Sequence, residues 1–218
     1  MNTLDINWLR EQPWIRWVVL GVGAVIVVGI GSAGWSAWKS RYESQGSMAF
    51  VQARTLVAQA QTSGAPAGTR ERAEKALQAV IADYPSLSSV AQAAYLLGSL
   101  RFAAAQYPQA RSSFELARAK AGSSSLAALA GLDIGYCWEE EKRYDAAEKA
   151  YLSAIRGAKP KDFLYEEAMV DAARAQELGG KRAEAVETYQ RLLKDLPDSR
   201  RAEEIRSRLA SLQTPATP

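Results

Sequence analysis

The segment AEKAYLSAIRGAK (147–159) recurs along the chain, and its recurrence decides the fold. The other versions are AEKALQAVIADYP (73–85), ARSSFELARAKAG (110–122) and AVETYQRLLKDLP (185–197). Their leading alanines are spaced by 37, 37 and 38 residues, a period typical of repeat proteins. A bulky apolar residue stands four places after each alanine, on the same face of a helix. These bulky residues are Leu77, Phe114, Tyr151 and Tyr189.

The sequence upstream of the two central segments predicts a second helix in each repeat. Gly98 and Gly135 each precede the segment's alanine by twelve residues, and Tyr107 and Tyr144 precede it by three. The pattern therefore indicates a unit of helix, tight turn and helix. One such hairpin cannot bury its apolar side, whereas three or more stacked hairpins form a continuous core.

This pattern resembles the tetratricopeptide repeat, over about residues 44–212 of the chain. The positions that match the small residue of that family's first helix are Gly98, Gly135 and Ala173. The closing proline is present as Pro85 and Pro197. The period is longer than the roughly 34 residues usual for the family, and the opening unit lacks the Leu-Gly pair. The resemblance implies an all-α fold with about four hairpins stacked as an α-solenoid.

A terminal helix is predicted to cover the end of this stack within the repeat domain, residues 39–212. Asp198 or Ser199 would be its N-cap. Its apolar stripe is formed by Ala202, Ile205, Leu209 and Leu212. Residues 213–218 are expected to form a flexible tail.

A different pattern occupies Trp17–Trp38, WVVLGVGAVIVVGIGSAGWSAW, which contains no charged residue. As a helix it would be roughly 33 Å long, enough to cross the roughly 30 Å hydrocarbon layer of a bilayer. Tryptophans at both ends favour the two membrane interfaces. The sequence therefore predicts a short tail, residues 1–16, followed by a transmembrane anchor, residues 17–38, in contact with the lipid bilayer.

A cleaved signal peptide is the alternative interpretation, because Ser32, Ala33 and Gly34 are small enough for a signal peptidase. The sixteen residues before the apolar run, and its continuation to Trp38, favour an uncleaved anchor. Small residues that recur every four positions predict a helix contact in the membrane. They are Gly29, Ala33 and Ala37.

Composition excludes several kinds of chemistry. The net charge is +3, of which only +1 belongs to the part after residue 41, so no nucleic-acid partner is expected. The chain has no His, which excludes His-based triads and His-ligated zinc. A membrane-tethered enzyme would have to depend on Cys137 or on Glu139–Glu141, and a buried packing role and solvated carboxylates are the simpler interpretations. We expect no enzyme activity, metal, cofactor or small-molecule substrate.

The tetratricopeptide resemblance implies that protein or peptide partners bind a concave side lined by the first helix of each unit. Any of Tyr95, Phe102 and Tyr136 could instead pack between helices. The family register places nine residues of this chain on that groove: Tyr95, Ser99, Phe102, Leu132, Tyr136, Glu139, Val170, Arg174 and Glu177.

The whole arrangement also resembles the YfgM-type ancillary subunits of the bacterial Sec translocon. Gly34, Trp35 and Trp38, followed by the Ser-rich run to Phe50, carry this likeness. The resemblance implies a single-pass inner-membrane adaptor with a periplasmic C-terminal domain that binds a membrane protein complex, periplasmic chaperones or exported chains. A scaffold of another envelope complex, for secretion, division or respiration, remains the alternative. Basic residues are nearly balanced on the two sides of the anchor, so orientation is only weakly indicated.

Overall fold

The computed structural model describes residues 13–162 and 164–214, and the regular secondary structure of these residues is helical. The predicted all-α class is therefore confirmed. Most of the predicted tails, 1–16 and 213–218, lies outside the described residues. The chain divides into two compact units, Met1–Gly46 and Ser47–Pro218. The helices are α1 Pro13–Ala60, α2 Thr69–Asp83, α3 Val90–Ala103, α4 Tyr107–Ala121, α5 Ser125–Glu140, α6 Tyr144–Ala154, α7 Tyr165–Leu178, α8 Arg182–Asp195 and α9 Ala202–Gln213.

The first unit contains the greater part of α1, whose apolar side chains are exposed. Among the described residues, α1 alone is long and apolar enough to cross a membrane. Its most apolar window has a mean hydropathy of 1.7 and none of it is buried. Trp35 and Trp38 lie with ring centroids 5.1 Å apart, and Trp38 stacks on Tyr42 at 5.6 Å. The predicted apolar N-terminal helix is thus confirmed.

The second unit is a stack of helical hairpins. The end of α1 shares a core with α2 and α3, and the pairs α3 with α4, α5 with α6, and α7 with α8 follow. The four alanines of the repeat are completely buried, because each lies where the two helices of a hairpin meet. They are Ala73, Ala110, Ala147 and Ala185.

The small residues of the first helices make room for the aromatic residues of the second. A Cβ atom built on Gly98 would lie 2.6 Å from the Phe114 ring, and one on Gly135 would lie 2.3 Å from the Tyr151 ring. No side chain can approach a ring that closely. Glycine at these positions therefore lets the two helices of a hairpin come together over a buried ring.

The turn inside each of the last three hairpins has one repeated backbone form. Ala105, Lys142 and Gly180 have φ values of 57°, 58° and 76°, in the left-handed region. Each precedes the repeat's alanine by five residues. The following amide donates to a carbonyl five residues back, as Gln106 does to Arg101 at 2.9 Å. This closing bond satisfies a carbonyl at the end of the first helix.

The last helix, α9, buries Ala202, Ile205 and Leu209 against the end of the stack. This confirms the predicted apolar stripe. The predicted N-cap is wrong, because the residue before α9 is Arg201. Ser199 instead accepts a hydrogen bond from the backbone N–H of Arg201 at 2.9 Å, within the turn that precedes the helix.

Candidate functional site

The first helices of the last three hairpins, α3, α5 and α7, carry one row of polar and aromatic side chains, which we call the α3–α5–α7 face. Contacts between neighbouring helices are made on this face: Tyr95 of α3 lies beside Asp133 of α5, and Tyr136 of α5 donates a hydrogen bond to Asp171 of α7. Its members are Tyr95, Ser99, Phe102, Asp133, Tyr136, Glu139, Glu167, Asp171, Arg174 and Glu177.

The centre of this face is an ionic network between α5 and α7. Arg174 donates from Nε and Nη2 to the two carboxylate oxygens of Glu139, both at 3.0 Å. Its Nη1 donates to Asp171 Oδ1 at 2.6 Å. Tyr136 donates to the other oxygen of Asp171, also at 2.6 Å, so this buried carboxylate is bound on both sides. Burial and the neighbouring Asp171 both raise the pKa of the Tyr136 hydroxyl.

The predicted groove residues Glu139 and Glu177 each accept a hydrogen bond from a tyrosine of the second helix in the same hairpin. Tyr151 donates to Glu139 at 2.9 Å, and Tyr189 donates to Glu177 at 2.6 Å. In the hairpin of α3 and α4, the corresponding positions hold Phe102 and Phe114, so the donor and the acceptor are both replaced. Glu139 and Glu177 therefore hold the hairpins together, since each carboxylate satisfies a buried phenol.

The aromatic residues of the face are both packed and partly exposed. Tyr95 lies 5.5 Å from Phe114, Phe102 lies 5.4 Å from Tyr107, and Tyr136 lies 5.4 Å from Tyr151, measured between ring centroids. Each of the three retains some accessible surface. Ser99 donates to the backbone carbonyl of Tyr95 at 3.1 Å, an ordinary bond within a helix.

Leu132 and Val170 were expected on the groove, and the structure places both in the core. Their exposed fractions are 1% and 4%. Both belong to the apolar cluster formed by the last helices, because their side of α5 and α7 meets neighbouring helices. Burial at this level takes both residues out of the surface that a partner could reach.

The face also includes Asp133, Glu167 and Asp171, which the family register did not indicate. Burial, followed by repulsion from Glu167, raises the pKa of Asp133 to about 6, while the hydrogen bond from Tyr95 acts in the opposite direction. Glu167 is exposed and also lines a cavity of about 710 Å³ at the start of α7. Helical spacing could have found Glu167 and Asp171, because they lie seven and three residues before Arg174 on one side of α7.

The remaining chemical candidates have protein partners. Besides Glu139, Glu140 accepts a hydrogen bond from Tyr107 at 3.1 Å, and Glu141 accepts one from Arg111 at 2.9 Å. Cys137 is completely buried, and burial raises the pKa of its thiol to about 12. Its thiol is therefore protonated at neutral pH, which is the unreactive form of cysteine.

The small residues predicted to form a membrane contact are all exposed on α1. They are Gly29, Ala33 and Ala37. Nothing lies within 4 Å of a Cβ atom built on Gly29. Their exposure leaves the backbone accessible along this side of the helix, and a helix contact there stays a prediction.

Comparison with known proteins agrees with both resemblances. The chain is 28% identical over 216 residues to the ancillary SecYEG translocon subunit of Neisseria gonorrhoeae, an alignment that covers 98% of this chain and 95% of that protein. The crystal structure of MamA protein superposes with a TM-score of 0.48 at 23% identity, covering 69% of this chain and 72% of that one. The profile of the family described as tetratricopeptide repeat-like domain matches residues 8–214. The chain therefore belongs to the tetratricopeptide repeat-like domain family.

Proposed function

We propose that this protein is a membrane-anchored adaptor that binds protein partners at the Sec translocon. The observation that carries the proposal is the alignment with an ancillary translocon subunit over nearly the full length of both chains. An exposed apolar helix followed by a stack of hairpins supports it, because an anchor fixes the location and a repeat stack offers a surface for binding.

The repeat domain lies on the periplasmic side of the inner membrane in this proposal, and its partners there are periplasmic chaperones or exported chains. The arrangement puts the short tail, residues 1–16, in the cytoplasm. An alkaline phosphatase fused after Pro218 should be active, since that enzyme needs the oxidising periplasm for its disulfides. A cytoplasmic fluorescent signal with an inactive phosphatase would refute this orientation.

Co-purification in mild detergent tests the translocon assignment. Translocon subunits should be recovered with the full-length protein. Enrichment of a different envelope complex without translocon subunits would favour the scaffold alternative and contradict the proposal.

The anchor provides a sharper form of this experiment. In the proposal, the exposed Gly29, Ala33 and Ala37 contact a partner's membrane helix, so replacing all three with Leu should lower translocon recovery about tenfold. The control is Ala24→Leu with Gly31→Leu; both positions are exposed and lie on the opposite side of the same helix, so recovery should be retained. Equal recovery from the two variants would exclude this contact surface.

A further inference from the structure

The α3–α5–α7 face has more carboxylates than cations where α5 meets α7. Asp171 and Glu167 lie beside Tyr136, and Asp133 lies near Glu167. Arg174 pairs with Asp171. Arg174 is already bound by Glu139 and Asp171. Asp133 and Glu167 form no ion pair within the described part of the chain, and Lys161, Arg200 and Arg201 line the same cavity as Glu167 without pairing with it.

Glu167 is the accessible member of this group. Tyr136 has one hydroxyl proton and directs it to Asp171 at 2.6 Å, so its contact with Glu167 at 3.4 Å is weak. Among the described residues, no ion pair involves Glu167, and its side chain is exposed. A cationic group brought by a partner could reach this carboxylate without disturbing an existing ion pair.

Asp133 provides an independent sign of incomplete pairing. Its Oδ2 atom is buried and has no hydrogen-bond partner among the described residues. A buried oxygen without a donor is uncommon, because the lost hydration is not replaced. This carboxylate therefore adds uncompensated negative potential beside Glu167, which a cationic group bound at Glu167 would reduce.

The rings beside these carboxylates suit a particular kind of side chain. Tyr95 and Tyr136 are partly exposed and lie next to Asp133 and Glu167. Lysine and arginine combine an apolar stem, which packs on such rings, with a charged head that pairs with carboxylates. An acidic or purely apolar segment would leave the carboxylates without compensation.

We infer that the α3–α5–α7 face binds an extended, basic segment of a partner protein, with a lysine or arginine head group held between Glu167 and Asp133. The aliphatic stem of that side chain lies against Tyr95 and Tyr136. This inference rests on the proposed function as a protein-binding adaptor and adds the chemistry of the segment that is bound.

Peptide binding to the full-length protein in phosphatidylcholine nanodiscs tests the inference, since this lipid does not itself attract basic peptides. The probe is a short Gly-Ser peptide with several arginines and a neutral fluorophore, compared with the same peptide carrying glutamine in place of each arginine. Anisotropy should show binding of the arginine peptide at least about tenfold tighter at low salt. Equal binding of the two peptides would overturn the inference.

A pair of charge-neutralising variants locates the site. Glu167→Gln should weaken binding of the arginine peptide about threefold and reduce its salt dependence. Glu187→Gln removes the same charge from an exposed position on α8 and should leave binding unchanged. An equal loss in both variants would indicate attraction to overall charge and contradict a site at Glu167. Far-UV circular dichroism of the two variants should be identical to that of the wild-type protein.

The two proposals can fail separately. Recovery of translocon subunits without preference for the arginine peptide would refute the basic-segment inference and leave the adaptor function standing. Preference for the arginine peptide with a different complex recovered would refute the translocon assignment and leave the binding chemistry standing.

Discussion

Gly135 and Tyr151 lie in direct contact across the hairpin of α5 and α6, so closely that a Cβ atom added at position 135 would lie 2.3 Å from the Tyr151 ring. The ring is completely buried and its hydroxyl is bound to Glu139, so it has no free space into which to move. Packing of this kind makes the identity of one small residue decisive for the distance between two helices.

Gly135→Ala should therefore destabilise the protein by about 1–3 kcal/mol, despite the higher helix propensity of alanine. Chemical denaturation of the full-length protein in detergent, followed by circular dichroism, measures this change. Tyr151→Leu should reduce the penalty in a double-mutant cycle, because the ring causes the clash. Additive effects of the two substitutions would show that the contact does not limit the packing.

Lys142→Gly should stabilise the protein by about 0.5–1 kcal/mol. Lys142 has a φ of 58°, and this left-handed conformation is higher in free energy for a residue with a side chain than for glycine. Its side chain is exposed, so no packing is lost. Lys149→Gly, at an exposed position inside α6, is the matched control and should destabilise by about 1 kcal/mol. Unfolding midpoints that move in the same direction for both would contradict this explanation.

Arg174→Met should destabilise the protein by about 2–3 kcal/mol, since it leaves Asp171, which is 3% exposed, and Glu139 without their cation. Arg206→Met removes an exposed arginine paired with Glu203 on α9 and should change stability by less than about 0.5 kcal/mol. Thermal unfolding of both variants provides the comparison. A loss at Arg174 no larger than at Arg206 would mean that the network contributes little.

Stability should fall as the pH rises from about 4 to about 6, because folding raises the pKa of Asp133 from 3.8 to about 6. In this window the folded state holds a proton that the unfolded state has lost. Asp133→Asn should match the wild-type protein near pH 4 and be about 2 kcal/mol more stable at pH 7.5. Urea titrations across this range measure the difference, and a gap independent of pH would rule out titration of Asp133 as the cause.

Cys137 should react with iodoacetamide only after unfolding, because it is completely buried and its thiol has a raised pKa. Mass spectrometry of native and urea-unfolded protein measures the modified fraction. Rapid labelling in the native state would show that α5 opens readily and that the thiol is accessible for chemistry.

Much of the candidate site could not be predicted from the sequence. The family register gave Tyr95, Tyr136 and Arg174 as groove residues, and they lie together on the α3–α5–α7 face because residues at helical spacing on successive first helices share a side. Their role in binding stays a prediction. The same register gave Leu132 and Val170 as groove residues, whereas both are buried. A shift of one position changes the direction of a side chain by about 100°, so register alone cannot separate a groove from a helix interface.

The sequence by itself determined the helical hairpins, their number and the apolar helix before them. Periodicity of alanine, glycine and aromatic residues is a local property, because it follows from the geometry of one helix packing against the next along the chain. Only the tertiary structure decided how the carboxylates are paired. Glu139 and Arg174 are 35 residues apart in sequence, and their contact exists because α5 and α7 lie side by side. Which charged side chains pair depends on the distances in space between helices, and the residue pattern within a single helix does not contain this information.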